Sequence, residues 1–274
     1  MQALRQIDAW PAATAAAGVV AGGSTSTRGP AERALPWASV TKIATALAVL
    51  VAAEEGTIEL DEPAGPPPST VRHLLAHASG LAPDERTAIA RPGHRRIYSN
   101  AGFEVVAELV GERAEMTFAD YLREAVLEPL AVPGRLHGSP ASGLVGSLGD
   151  LLRLGRELLA PTLIAPETLR EATEVQFPGL SGVLPGFGRM EPNDWGLGVE
   201  LRDEKDPHWT GRRNSPRTFG HFGRSGTFLW VDPVAGVALG CLTDLLFDDW
   251  AMTAWPRLSD AVLEEAAARP SADG

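Results

Sequence analysis

The run WASVTKIATALAVLVAAEEG, residues 37–56, decides how this chain is read. From Ile43 to Ala53 every residue except Thr45 is apolar. A helix with no polar face belongs in the middle of a protein, enclosed on all sides, and not on its surface. Ser39 opens that helix and Gly56 closes it. Lys42 follows Ser39 by three positions, which puts hydroxyl and amine on one helical face, one turn apart. The helix therefore carries a nucleophile and a cation into the interior together.

Outward from this helix the chain divides by its apolar period. Upstream, residues 2–10 suit a short helix, Ala12 to Ala21 suits a strand turned by Gly22-Gly23, and a second short strand precedes Trp37. Downstream, residues 61–70 (DEPAGPPPST) form a proline-rich connection. From 71 to about 175 the spacing is helical, over Val71–His77, Ala101–Glu112, Thr117–Leu127 and Ser147–Leu159. Thr117 with Asp120, and Ser147 with Asp150, have capping-box spacing. Residues 176–216, rich in Gly, Pro and Trp, read as irregular loops with short strands. From Thr218 the period becomes two: Thr218–Arg224, Thr227–Asp232 and Gly236–Thr243 are three strands joined by tight turns, and a last helix is expected from about Arg257 to Ala268, with a loose tail after Pro270. Strands at both ends with helices between give an α+β architecture, an antiparallel sheet flanked by terminal helices plus an all-helical lobe. The expected division is a sheet lobe from 1–60 and 205–274 and a mostly helical lobe from 61–204, interleaved into one catalytic domain with the site in the cleft between them.

Three segments carry chemistry. A serine hydroxyl is a poor nucleophile until a neighbouring base takes its proton. An amine can do this only while neutral, and desolvation at the start of a buried helix favours the neutral form. Of 24 basic residues only Lys42 and Lys205 are lysines; the rest are arginine, which does not deprotonate in proteins. Tyr98-Ser99-Asn100 stands directly before an apolar helix, with Asn100 placed to cap it. One of only two tyrosines, Tyr98 beside a lysine is expected to lean toward phenolate. Phe219-Gly220-His221-Phe222-Gly223-Arg224-Ser225-Gly226 places glycines inside a strand, where they mark close approach of another backbone.

Together these segments resemble the class C β-lactamase, DD-peptidase and esterase group of penicillin-recognising serine hydrolases, with S-x-x-K, Y-x-N and K/H-T-G in order. WASVTKIATALAVLVAAEEGTIELDEP (37–63), VRHLLAHASGL (71–81), RIYSNAGFEVVAELV (96–110), SLGDLLRLGRELL (147–159) and FGHFGRSGTFLWVDP (219–233) are similar to that family's segments, so the likeness runs from about residue 12 to 265. The resemblance implies a β-lactamase/transpeptidase-like fold and a role for each residue. Ser39 is acylated; Lys42 and Tyr98 share general-base work; the backbone N–H groups of Ser39 and Arg224 form the oxyanion hole; Asn100, His221, Phe222 and Gly223 line the substrate site. Phe222 stands where the family has threonine, whose hydroxyl helps to bind a substrate carboxylate. That departure points away from β-lactams and toward small esters or amides.

Other classes fit less well. A formal net charge of −11 repels nucleic acid and anionic membrane, so the expected partner is a small-molecule ester, amide or β-lactam. No cofactor or metal is expected: His73 and His77 are four apart as on a zinc helix, but Leu74-Leu75 replaces the glutamate such an enzyme needs, and His77 is expected to bond backbone near Ser79-Gly80. Cys241, the single cysteine, lies in an apolar strand and reads as a buried small residue. Residues 1–10 lack the pattern of a signal peptide, giving a cytoplasmic expectation. The alternatives are a β-lactamase or D-alanyl-D-alanine carboxypeptidase, and a catalytically idle binding protein of the same fold. An idle descendant would have lost one of Ser39, Lys42 or Tyr98.

Overall fold

The computed structural model describes residues 1–268. Its centre is a six-stranded antiparallel sheet. In chain order the strands are β1 (Ala15–Ala21), β2 (Ser24–Arg28), β3 (Leu35–Pro36), β4 (Arg135–Leu136), β5 (Leu144–Gly146), β6 (Gly182–Leu184), β7 (Gly188–Met190), β8 (Glu200–Leu201), β9 (Phe219–Gly223), β10 (Thr227–Asp232) and β11 (Val237–Thr243). The large sheet runs β2-β1-β11-β10-β9-β8, so β1 from one end of the chain pairs with β11 from the other, Ala15 opposite Thr243 and Ala21 opposite Val237. Gly22 and Gly23 both have positive φ, 52° and 71°, as the two-residue hairpin turn between β1 and β2 requires.

The helices are α1 (Thr41–Glu54), α2 (Val71–Leu75), α3 (Asn100–Arg113), α4 (Phe118–Leu122, continued by a π turn over Arg123–Leu127), α5 (Leu148–Leu159), α6 (Pro166–Ala172) and α7 (Asp249–Ala267). Strand residues alternate between two cores. Leu229, Val231, Ala238 and Leu242 face the core that holds α5 and α1. Phe228, Trp230, Leu239 and Cys241 face the one closed by α7 and the 3-10 helix Ala3–Ala9. Cys241 is fully buried, as its strand context implied. α1 is enclosed as its sequence demands, buried from Thr41 through Ala52.

Local readings are corrected at four places. Ser39 does not begin the α-helix: it lies in a 3-10 turn, Ala38–Val40, ahead of α1. Ser99, not Asn100, caps α3, its hydroxyl accepting from the Gly102 N–H, which frees the Asn100 side chain for another use. Ser147 and Asp150 form the full capping box, but at Thr117 only half of one forms, because Asp120 turns its carboxylate to the Thr117 hydroxyl. α7 starts at Asp249, eight residues before Arg257; Ala251, Trp255 and Leu258 supply the buried stripe that outweighs the hydrogen bond lost at Pro256. The tail after Pro270 lies outside the described residues.

Gly223 sets the approach of the two segments that build the site. A Cβ there would lie 2.5 Å from Thr227 Oγ1, 2.6 Å from the Trp37 carbonyl oxygen and 3.0 Å from the Ala38 Cβ. The expected outcome of Gly223→Ala is a loss of about 1–3 kcal/mol in urea denaturation, because the Trp37 carbonyl and the Thr227 hydroxyl bonded to it must both give way. Turnover should fall further than that stability loss explains, because the displaced turn carries Ser39.

Candidate active site

The turn bearing Ser39 is tied down from two sides. Trp37 donates its N–H to the Leu144 carbonyl, and its own carbonyl accepts the Thr227 hydroxyl at 2.9 Å. Ser225 Oγ donates to the Pro36 carbonyl at 2.9 Å. Within this frame Ala38 takes φ 46°, a left-handed conformation uncommon for alanine, directly before the half-buried Ser39.

Lys42 has no solvent exposure. Its Nζ donates to Asn100 Oδ1 at 2.6 Å and to the Ala141 carbonyl at 2.9 Å, and lies 3.5 Å from Ser39 Oγ. The ammonium also sits 4.7 Å from the centre of the Tyr98 ring. Burial lowers Lys42 to about 7, against the pull of Asp84 and Glu104, which raise it. The second lysine is buried as well but differently committed. Lys205 donates to the Asp194 and Leu201 carbonyls and to Glu200 Oε1 at 3.1 Å. Glu200 in turn accepts from Trp209 and contacts His208, and despite its burial its carboxyl is held at about 2 by Lys205 and His208.

Tyr98 is packed between rings: His77 at 4.5 Å, His221 at 5.7 Å and Trp195 at 5.9 Å. Its hydroxyl lies 3.4 Å from His221 Nε2, and the residue lines the same cavity as Ser39. The expectation of a phenolate is overturned, because burial pushes the phenol up, Glu200 and Asp84 push the same way, and the opposing influence of Ser39 is smaller. Burial also lowers His221 to about 3, so its ring is neutral; its Nδ1 donates to the Phe222 carbonyl at 2.7 Å, leaving Nε2 as an acceptor toward Tyr98. His77 is corrected too: its Nδ1 accepts from the Ser99 N–H at 3.1 Å, not from the Ser79-Gly80 turn, because φ of 55° turns it back under the Tyr98 segment. His73 bonds Thr70 instead, so the two histidines part company.

A cavity of about 380 Å³ opens over Ser39, lined also by Tyr98, Asn100, His221, Phe222 and the exposed Arg224. The structure thus brings together Ser39, Lys42, Tyr98, Asn100, His221, Phe222 and Arg224, with Gly223 behind them as the spacer described above. Phe222 is largely buried, packed on Phe247 at 4.8 Å and Trp255 at 6.0 Å, and shows the cavity only part of its ring. Trp195, Phe247 and the turn Leu184-Pro185-Gly186 complete the walls. Sequence reasoning missed them. The β6–β7 hairpin lies in the stretch read as irregular loops with short strands, and nothing in its composition tells a wall from a connection.

The fold is of the β-lactamase/transpeptidase class. The Beta-lactamase family model matches residues 8–263, and the chain belongs to that family, whose members are generally serine hydrolases. It is similar to a β-lactamase from Mycobacterium bovis, with 52% identity over 96% of this chain and 99% of the other and a TM-score of 0.95. Two more distant structures show likeness of fold alone. The simvastatin synthase LovD from Aspergillus terreus and EstCE1, a hydrolase with promiscuous acyltransferase activity, each share 17% identity over 96% of this chain and 97% of the other, at a TM-score of 0.78. No curated protein matches the chain. No helix among the described residues is long and apolar enough to cross a membrane.

The two lysines should respond oppositely to removal of charge. Lys205→Met leaves the buried Glu200 carboxylate without its cation and should cost about 3–5 kcal/mol in urea denaturation. Lys42→Met removes a desolvated cation that touches no carboxylate directly, and should leave stability unchanged or raise it.

Proposed function

We propose that the protein is an acyl-serine hydrolase of small, neutral esters or amides. The observation that carries this reading is the buried Lys42 amine, held near neutrality 3.5 Å from Ser39, which itself lines a largely apolar cavity. In this reading Ser39 Oγ attacks the substrate carbonyl carbon as its proton passes to the neutral Lys42 amine. The oxyanion is received by the backbone N–H groups of Ser39 and Arg224. Tyr98, a neutral phenol, gives its proton to the departing alkoxide or amine and regains one from Lys42. A water then attacks the acyl-enzyme, its proton passes back through Tyr98 and Lys42, and Ser39 leaves as the restored hydroxyl. Asn100 and His221 line the path of the substrate.

Treatment with a fluorophosphonate should add one adduct by intact mass, mapped to Ser39 and absent in Ser39→Ala. Lys42→Arg should lower kcat on the order of 10²-fold or more, nearly as far as Lys42→Ala, because guanidinium stays charged. Labelling that survives in Ser39→Ala, or near-normal turnover in Lys42→Arg, would remove this mechanism.

A second reading, hydrolysis of β-lactams, draws on the M. bovis relative and on Arg224, whose guanidinium at the cavity mouth can take a substrate carboxylate in bidentate fashion. Phe222 and Arg224 separate the two. If Phe222 excludes carboxylate-bearing substrates, Phe222→Thr should raise the β-lactam-to-ester ratio of kcat/KM by about tenfold, and Arg224→Ala should leave it nearly unchanged. A ratio that collapses in Arg224→Ala and holds in Phe222→Thr makes Arg224 an anionic-substrate anchor. Because Phe222 packs on Phe247 and Trp255, Phe222→Leu serves as the control for lost packing.

A further inference from the structure

Asp84 belongs to none of the motifs, yet it ends the line of polar contacts that starts at Ser39. The loop that carries it is strapped across the start of α3. The Pro83 carbonyl accepts the N–H groups of Asn100 and Ala101, at 2.6 and 3.2 Å, and the Ala82 carbonyl accepts the Ser99 hydroxyl at 2.7 Å. This places Asp84 Oδ1 2.7 Å from Asn100 Nδ2, while Asn100 Oδ1 accepts from Lys42 at 2.6 Å. An amide has one acceptor atom and one donor atom. Turned over, it would aim its NH₂ at Lys42 and its oxygen at a carboxylate; it loses both bonds beside the ammonium, and beside the neutral amine, whose lone pair can accept, it still loses the bond to Asp84. Asp84 therefore decides which way Asn100 faces.

We propose that Asp84 is a positioning residue of this site, locking the Asn100 oxygen toward Lys42 and supplying negative charge on the solvent side of the buried amine. The consequence for turnover rests on the reading of Lys42 as proton acceptor; the effect on Lys42 itself does not. The groups that face Lys42 are Ser39, Asp84 from its loop, Asn100 and Glu104 from α3, Tyr98, His77 and His221. The two histidines are kept neutral and Tyr98 is a phenol. Asp84 and Glu104 are thus the anions among them, and both favour the ammonium. The sign follows: without the Asp84 charge the ammonium is less favoured, and Lys42 gives up its proton at lower pH. A reaction that needs the neutral amine then persists further into acid.

The chain has two lysines, so lysine labelled at Cε gives two carbon resonances, and Lys42→Met assigns them. Asp84→Asn removes the charge and keeps an acceptor for the Asn100 amide. Its Lys42 resonance should titrate about half a pH unit lower, and the acid limb of kcat/KM should move with it. Lys205 should be unaffected, and the shift should shrink in 1 M salt, about tenfold the ionic strength at which exposed charges are commonly compared. Asp84→Ala should show the same shift together with a fall of about tenfold in plateau kcat, because Asn100 is then free to turn. Lowered turnover with neither midpoint moved would mean that Asp84 only props its loop, and the proposal would be wrong. A shifted resonance with an unmoved kinetic limb would keep Asp84 in its role and dismiss Lys42 as the proton acceptor.

Discussion

The molecule is organised around one desolvated amine. α1 has no polar face, so its first turn takes Lys42 into the interior along with everything else. There it meets two neutral carbonyl-type oxygens and the Ser39 hydroxyl, and no carboxylate at contact distance. Burying an ammonium this way is unfavourable, and the unfavourable energy appears as a lowered affinity for its proton. Lys205 marks the alternative. It is nearly as buried, but Glu200 lies 3.1 Å away, so its charge is balanced by a buried carboxylate that Lys42 lacks. Two lysines in one chain thus bear similar burial and differ in what faces them.

An amine poised in this way is useful only if the hydroxyl beside it is held where a substrate can reach. That placement comes from the sheet. β1 and β11 knit the two ends of the chain together, and β9 and β10 then reach back to the turn ahead of α1 through the bonds from Ser225 and Thr227 to the Pro36 and Trp37 carbonyls. Gly223 allows the contact to be close. β8 pairs only with Gly220 and Phe219, so the edge of β9 from His221 onward is left without a strand partner on the side where the cavity lies. The middle of the chain supplies the opposite wall through Tyr98 and Asn100.

How much of this was legible in the sequence depends on the range of the forces involved. The all-apolar run after Lys42 and the period-two strands after Thr218 are local signals, and they place the buried helix and the sheet. The i, i+3 relation of Ser39 and Lys42 survives even though Ser39 sits in a 3-10 turn, because both turn types keep residues three apart on one side. Asp84 and the Leu184-Pro185-Gly186 turn were not legible. Each acts through a loop conformation set by distant backbone, as when Pro83 receives the first N–H groups of α3. The cap of α3 was misassigned for a related reason. Asn100 and Ser99 are both good caps, and the difference lies in partners from elsewhere in the chain, Lys42 and Asp84 holding the Asn100 amide while the Ser99 hydroxyl takes the Gly102 N–H.

The overturned expectation about Tyr98 has burial as its first cause, and the hydrogen-bonding role of a neighbouring ring works in the same direction. Lys42 alone would favour a phenolate. The family position that faces Tyr98 from β9 carries lysine or histidine, and here it is His221. A lysine would present donors to the phenol oxygen and a second positive charge, both stabilising the anion. His221 donates its Nδ1–H to the Phe222 carbonyl and stays neutral, so what it offers Tyr98 is a lone pair. A lone pair is satisfied by O–H and repelled by O⁻. Histidine at this position therefore acts in the same direction as burial, which keeps the phenol protonated, and the proposed mechanism uses that state by giving Lys42 the first proton and Tyr98 the role of donor.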